Sequence, residues 1–280
     1  MRVYISVDME GCSGVVHREQ TNPIGYDYES ARTLMTAEAN AAVRGAFEGG
    51  ATEVVVSDSH GGNGMRNVLI DRLDPRAELI LGSPRRLGQL EGLDDSYGAL
   101  FLVGYHTRHG STGVLSHTTN GQAVANVWIG DELVGEIGLN ARLAESFGVP
   151  VALVTGDDRT VAEAKEQLPE VEGVVVKKAL GRYTARCLHP ERAQQLIEQG
   201  AVRAVKKADR LGTEPLGSPV SIRVQFKETG SAEAAAAVPG AVLVADDTVE
   251  LSCDSVEQAY AGYSSMVALW EPAWGGWIRG

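Results

Sequence analysis

Arg2-Val3-Tyr4-Ile5-Ser6-Val7-Asp8-Met9-Glu10-Gly11 is a short, mostly apolar run that ends in two acids one residue apart. Apolar on consecutive rather than alternate positions, Val3–Val7 suits a strand buried on both faces of a parallel sheet. Downstream, a helix is predicted from about Asp27 to Phe47, with Ala31, Leu34, Met35, Ala39, Val43, Ala46 and Phe47 on one face. Gly49-Gly50 stops it where a helix commonly turns left-handed. Further strands are predicted at Val54–Ser57, Glu78–Leu81, Leu100–Val103, Val151–Thr155 and Val171–Val176. Helices are predicted at Leu139–Phe147, Val161–Leu168 and from Pro190 to about Lys207. The alternation predicts an α/β fold, a mostly parallel sheet sandwiched by helices.

Two segments break that rhythm. Val124–Ile129 and Glu132–Ile137 flank Gly130-Asp131, a hairpin signal that puts Glu136 on the return strand. Asp209 to Pro219 holds two Gly and two Pro and reads as a linker. The expected organisation is a catalytic α/β domain over 1–208, a linker over 209–219 and a smaller C-terminal α+β domain over 220–280. In that last unit, strands are predicted at Val220–Phe226, Val242–Val244 and Val249–Leu251, with a helix over Val256–Trp270.

Of the 280 residues, 25 are Lys or Arg and 37 Asp or Glu, a formal charge of −12. That balance argues against nucleic acid, whose affinity comes mostly from neutralised phosphates, and against an anionic membrane surface. It suits cations, either metal ions or substrates with a free amine. No signal peptide or 18-residue apolar span is expected. Three widely spaced cysteines, Cys12, Cys187 and Cys253, fit a reducing cytoplasm better than a disulfide framework.

Polar residues recur where the predicted strands end. Asp8 and Glu10 follow the first strand, His60 follows the second and His106 follows Leu100–Val103. In an open parallel sheet, the carboxyl ends of the strands share one edge, and ligands bind in the crevice there. Two acids and two imidazoles delivered to that edge form a metal site that suits zinc, with manganese or cobalt as alternatives. His117 lies 11 residues beyond His106 and could be a further ligand, a general acid/base or an oxyanion donor.

These motifs carry a resemblance. Asp8-Met9-Glu10-Gly11, Asp58-Ser59-His60, Gly104-Tyr105-His106, Ser116-His117 and Gly135-Glu136-Ile137-Gly138-Leu139-Asn140, in that order, resemble the bacterial zinc D-aminopeptidase (DppA-like) family. The likeness thins after about Pro219. It implies that Asp8 bridges two zinc ions per subunit, that Glu10, His60, His106 and Glu136 complete the two ligand sets, and that His117 is catalytic. It also implies hydrolysis of an N-terminal D-residue, D-Ala or similar, from short peptides with a free amino terminus, and a ring-like homo-oligomer, a decamer. Cys12 stands where the family has an apolar residue.

Two competing readings remain at this level. A two-metal phosphohydrolase would use cations near the metals, and Arg66, Arg108 and Lys178 are available. A solute-binding α/β module would bind its ligand without metal. Trp270, Trp274 and Trp277 crowd the last 11 residues and are expected to pack against the protein body or a neighbouring subunit.

Overall fold

The computed structural model describes residues 1–270; Trp274 and Trp277 lie outside the described residues. The first sheet has the order β3-β2-β1-β4-β7-β8-β9. Its strands are β1 (Arg2–Val7), β2 (Glu53–Asp58), β3 (Glu78–Ile80), β4 (Tyr97–Val103), β7 (Val151–Asp157), β8 (Glu172–Gly181) and β9 (Thr184–Cys187). All neighbours pair in parallel except β8 and β9, which form an edge hairpin. Helices α2 (Tyr28–Gly49) and α5 (Pro190–Ala208) cover one face. Val3, Ile5 and Val7 point into that layer, while Tyr4 and the β4 residues Leu100 and Leu102 point the other way. Facing that second side are α3 (Glu136–Ser146) and α4 (Asp158–Gln167). A short α1 (Arg18–Thr21) lies in the loop after β1. The predicted helix ends where its glycines require: Gly50, at φ +108°, takes the left-handed cap of α2.

The second sheet is antiparallel, in the order β11-β12-β10-β5-β6. It contains β5 (Val124–Ile129), β6 (Glu132–Val134), β10 (Val220–Phe226), β11 (Ala241–Ala245) and β12 (Thr248–Cys253), with α6 (Thr229–Ala235) and α7 (Val256–Ala268) packed against it. The expected division at 209–219 is crossed by this sheet. Strand β10 pairs with β5, Ile222 opposite Ile129, so the 124–134 hairpin shares a sheet with residues beyond the linker. Their apolar side chains form one continuous core with α3. The hairpin also stops earlier than expected. Gly135 caps α3 in extended backbone, and Glu136 is a first-turn helix residue rather than a strand residue. A side chain at Gly135 would sit 2.6 Å from Arg108 Cβ, so the chain turns there without one. Among the described residues no helix is long and apolar enough to cross a membrane.

Helix α2 also carries a buried acid, Glu38. Its Oε1 accepts the Ser13 N–H at 2.8 Å, while its Oε2 has no partner. Burial pushes this carboxyl up to about 7 against the opposing pull of the Ser13 N–H and Lys177. A folded value above the unfolded one stabilises the fold at low pH, and that stability is lost as pH rises from about 4.5 to about 7. Glu38→Gln keeps the acceptor and removes the titration. Relative to the parent it should gain on the order of 3 kcal/mol between pH 4.5 and pH 8. Denaturant unfolding of both proteins at those two pH values checks this, because metal-linked effects common to both cancel in the difference.

Candidate metal centre

In the first sheet the strand order reverses direction between β1 and β4, which opens a crevice at their carboxyl ends. Asp8 follows β1 directly, His60 lies two residues past β2 and His106 three past β4. The two loops meet very closely: Gly11 N–H donates to Gly104 O at 2.7 Å. A Cβ on Gly11 would lie 1.9 Å from the Tyr105 carbonyl, and one on Gly104, at φ +70°, 2.2 Å from that of Asp8. Only glycine fits at either position, and this contact brings Asp8 and His106 together.

All five expected ligands converge. Asp8 Oδ1 lies 3.3 Å from His60 Nδ1, and its Oδ2 lies 3.4 Å from His106 Nε2. Glu10 Oε2 is 3.0 Å from the same His60 nitrogen, and Glu136 Oε1 is 3.3 Å from His106 Nε2. Two groups result, Asp8-Glu10-His60 and His106-His117-Glu136, each with its ligand atoms within 4.8 Å of one another. Asp8 turns one oxygen to each.

The histidine hydrogen bonds show what the site is built to hold. His60 Nε2 meets the Thr21 carbonyl at 2.8 Å, His106 Nδ1 that of Thr107 at 3.0 Å and His117 Nδ1 that of Leu115 at 2.9 Å. A carbonyl only accepts, so each ring places its proton there and turns its other nitrogen, a lone pair, toward carboxylates. His106 Nε2 is buried with no hydrogen-bond partner. Lone pairs facing carboxylates repel unless a cation stands between them, and backbone-oriented imidazoles are how proteins present metal ligands. Three buried carboxylates, Asp8, Glu10 and Glu136, sharpen the need. Burial alone would raise Asp8 and Glu136. A proton can be that cation: protonated His106 and His60 bring Asp8 to about 2, and protonated His106 brings Glu136 to about 2. Burial would lower the two histidines, but Glu10 and Asp8 push His60 well up, and Glu136 and Asp8 do so for His106. The donor set fits zinc. Cys12 is buried too, but its Sγ donates to the Asp8 carbonyl at 3.3 Å and stays out of both groups.

His117 is placed differently. Its Nε2 is 3.8 Å from Glu136 Oε1, longer than the other contacts, and its side chain is 18% exposed against 7% or less for the other five. Its ring stacks on His106 with centroids 4.2 Å apart. Leu115 and Thr119 flank it two residues to either side, both left-handed at φ +54° and +53°. Such conformations cost a non-glycine residue roughly 1–2 kcal/mol each.

Several polar residues around the site were not legible as functional. Gln89 Nε2 donates to Glu136 Oε2 at 2.6 Å. Asn140 donates to Gln89 Oε1 at 2.6 Å and in turn accepts from Tyr260 on α7 at 3.0 Å. On the other oxygen, Thr119 N–H donates to Glu136 Oε1 at 2.7 Å, and the Tyr263 hydroxyl meets Thr119 Oγ1 at 2.6 Å. Helix α7 therefore braces both oxygens of Glu136. Lys177, 1% exposed at a point where β8 turns polar, donates to the carbonyls of Glu10 (2.5 Å), Cys12 (2.9 Å) and Val15 (2.6 Å). The only sequence signal was a charge closing the apolar Val174-Val175-Val176. Lys177→Met leaves the buried Glu10 and Val15 carbonyls unpaired and that of Cys12 with only the Val15 N–H, so it should destabilise the fold by about 2 kcal/mol or more. It should also weaken metal binding about 10- to 100-fold through Glu10. Chemical denaturation and zinc competition with a chelator measure the two losses separately.

The crevice opens into a cavity of about 910 Å³. Arg18, Arg85 and Arg182 line it, whereas Arg66, Arg108 and Lys178 do not. Of the cations singled out in the sequence, Arg66 is engaged by Asn63 and Arg108 by the His109 carbonyl.

Comparison with known proteins agrees with this geometry. A curated D-aminopeptidase of Bacillus subtilis (strain 168) is 38% identical over 273 residues, covering 96% of this chain and 97% of the relative. The solved structure of the Zn-dependent D-aminopeptidase DppA from Bacillus subtilis, described as a self-compartmentalizing protease, superposes with a TM-score of 0.92 at 35% identity. That match covers 96% of this chain and 97% of the other. The family match continues past Pro219, through α6 and most of α7. The family model, peptidase family M55, described as D-aminopeptidase, matches residues 1–264, and the chain belongs to this family.

Proposed function

We propose that this protein is a two-zinc aminopeptidase that removes an N-terminal D-residue, D-Ala or similar, from short peptides. The observation that carries the reading is Asp8, whose two oxygens each face a histidine from a different strand end. In this reading Asp8, Glu10 and His60 hold one ion, and Asp8, His106 and Glu136 hold the other. Zinc there would polarise the scissile carbonyl and bring the pKa of a bound water toward about 7.

The chain's own residues do the rest. His117 Nδ1 is tied to the Leu115 carbonyl, which leaves Nε2 as the nitrogen turned to the cavity. That nitrogen takes a proton from the attacking water and passes it to the departing peptide nitrogen. The end of the cavity where Asp8 and Glu10 would hold their ion receives the substrate's α-amine and sets the distance to the first peptide bond. Tyr260, Tyr263 and Val267 of α7 contribute to the cavity wall. The preference for D-residues rests on family membership.

The same reading makes the working particle a ring-like homo-oligomer, a decamer. Ile24 and Tyr26, 92% and 94% exposed, and the outward Val242, Leu243 and Val244 of β11 are apolar surface that a second copy would cover. Three unpaired cysteines suit a reducing cytoplasm. Mass in solution, before and after truncation following Pro272, tests the assembly and the part the Trp-rich end plays in it. The activity is tested by release of D-alanine against L-alanine from matched dipeptides, lost on chelation and restored by zinc. Equal turnover of both, or turnover indifferent to chelation, contradicts the reading.

A further inference from the structure

The cavity has a positive rim, although the chain carries a net −12 and three acids sit at the cavity floor. Arg182 lies at the tip of the β8–β9 hairpin, and two hydrogen bonds fix it beside His117. Leu115 N–H donates to the Arg182 carbonyl at 2.8 Å, and Arg182 Nη2 donates to the Ser116 carbonyl at 2.8 Å. Arg18 approaches from the loop after β1, where His17 packs on Tyr183 at 5.9 Å. Lys227 reaches the same rim, its Nζ donating to the carbonyl of Gly121, a residue of the cavity wall, at 2.6 Å. Arg2, Arg44, Arg142 and Arg203 each face a carboxylate. Among the described residues, Arg18 and Arg182 have none within 4.0 Å. Arg182 spends one of its five N–H donors on Ser116 and retains the planar fork that matches a carboxylate.

We propose that Arg182, assisted by Arg18, binds the terminal carboxylate of the substrate, so that the enzyme selects dipeptides and other very short peptides ending in a free carboxyl group. The inference rests on the aminopeptidase reading and on His117 serving the departing nitrogen. In a dipeptide the carboxylate lies within one residue of that nitrogen, under about 3.8 Å along the chain. A guanidinium anchored to the residue before His117 is therefore on the side where the carboxylate arrives. The metal end takes the amine and the basic rim takes the carboxylate, so the cavity offers a partner to each end of a short peptide.

The test compares D-alanyl-glycine with D-alanyl-glycinamide on the zinc-loaded enzyme. The acid should have a kcat/KM about 10- to 100-fold above the amide, chiefly through KM, the range of a charged hydrogen bond. Arg182→Ala should bring the two substrates within about 2-fold of each other, and Arg182→Lys should restore part of the gap. The side chain is exposed and the Leu115 bond uses only backbone, so the variant keeps the loop in place. Equal kcat/KM for acid and amide in the parent overturns the proposal while leaving the aminopeptidase reading intact. So does an acid-to-amide ratio that survives in Arg182→Ala, since Arg182 would then act only by holding Ser116. No alanine released from either peptide overturns both.

Discussion

Asp8→Ala should cost metal at both positions and lower hydrolysis by about 10³-fold or more. Among the described residues only Asp8 faces a histidine of each group. Its Oδ1 faces His60 and its Oδ2 faces His106, and without it Glu10-His60 and His106-Glu136 each fall to two strongly placed ligands. Losing Lewis-acid assistance worth several kcal/mol, taken as about 4, corresponds to about 10³ in rate. Asp8→Asn serves as a control for folding. It keeps the volume and the bond from Met9 N–H at 2.8 Å, yet lacks the charge that shares two cations. Elemental analysis that still finds two zinc ions per chain in either variant would refute the bridging role.

His117→Ala should behave in the opposite way, retaining its metal and losing about 10²-fold or more in kcat, the scale of a missing general acid/base. The distinction follows from placement. His117 sits 3.8 Å from Glu136 and reaches into the cavity, whereas the five other residues are closed off and within 3.4 Å of their partners. Loss of one zinc ion from this variant would recast His117 as a ligand of the His106-Glu136 position. Full activity would remove it from the mechanism.

Three of these residues were legible because of strand chemistry. Val3–Val7, Val54–Ser57 and Leu100–Val103 are short continuous apolar runs, and in a parallel sheet all such runs end on one edge. Asp8, His60 and His106 therefore had to meet. Glu136 was assigned its role only through the family resemblance, and its local structure was misplaced. The Gly130-Asp131 turn was real, but Gly135 has no room for a side chain beside Arg108 and ends the strand before the acid.

Other features depend on partners distant in sequence, which periodicity does not encode. Pairing of Ile129 with Ile222 ties the 124–134 hairpin to a strand across the linker. Gln89 and Asn140 are ordinary amides until folding sets them in line between Tyr260 and Glu136. In the sequence Lys177 is one more charge following an apolar run. Its importance comes from the carbonyls of Glu10, Cys12 and Val15, more than 160 residues away in sequence.

The most direct test of the central claim is a zinc titration of the metal-free protein, followed by release of D-alanine from D-alanyl-glycine. A centre built around one shared carboxylate predicts that activity reaches its plateau at two equivalents of zinc per chain. A plateau at one equivalent, or D-alanine release before any zinc is added, would contradict it.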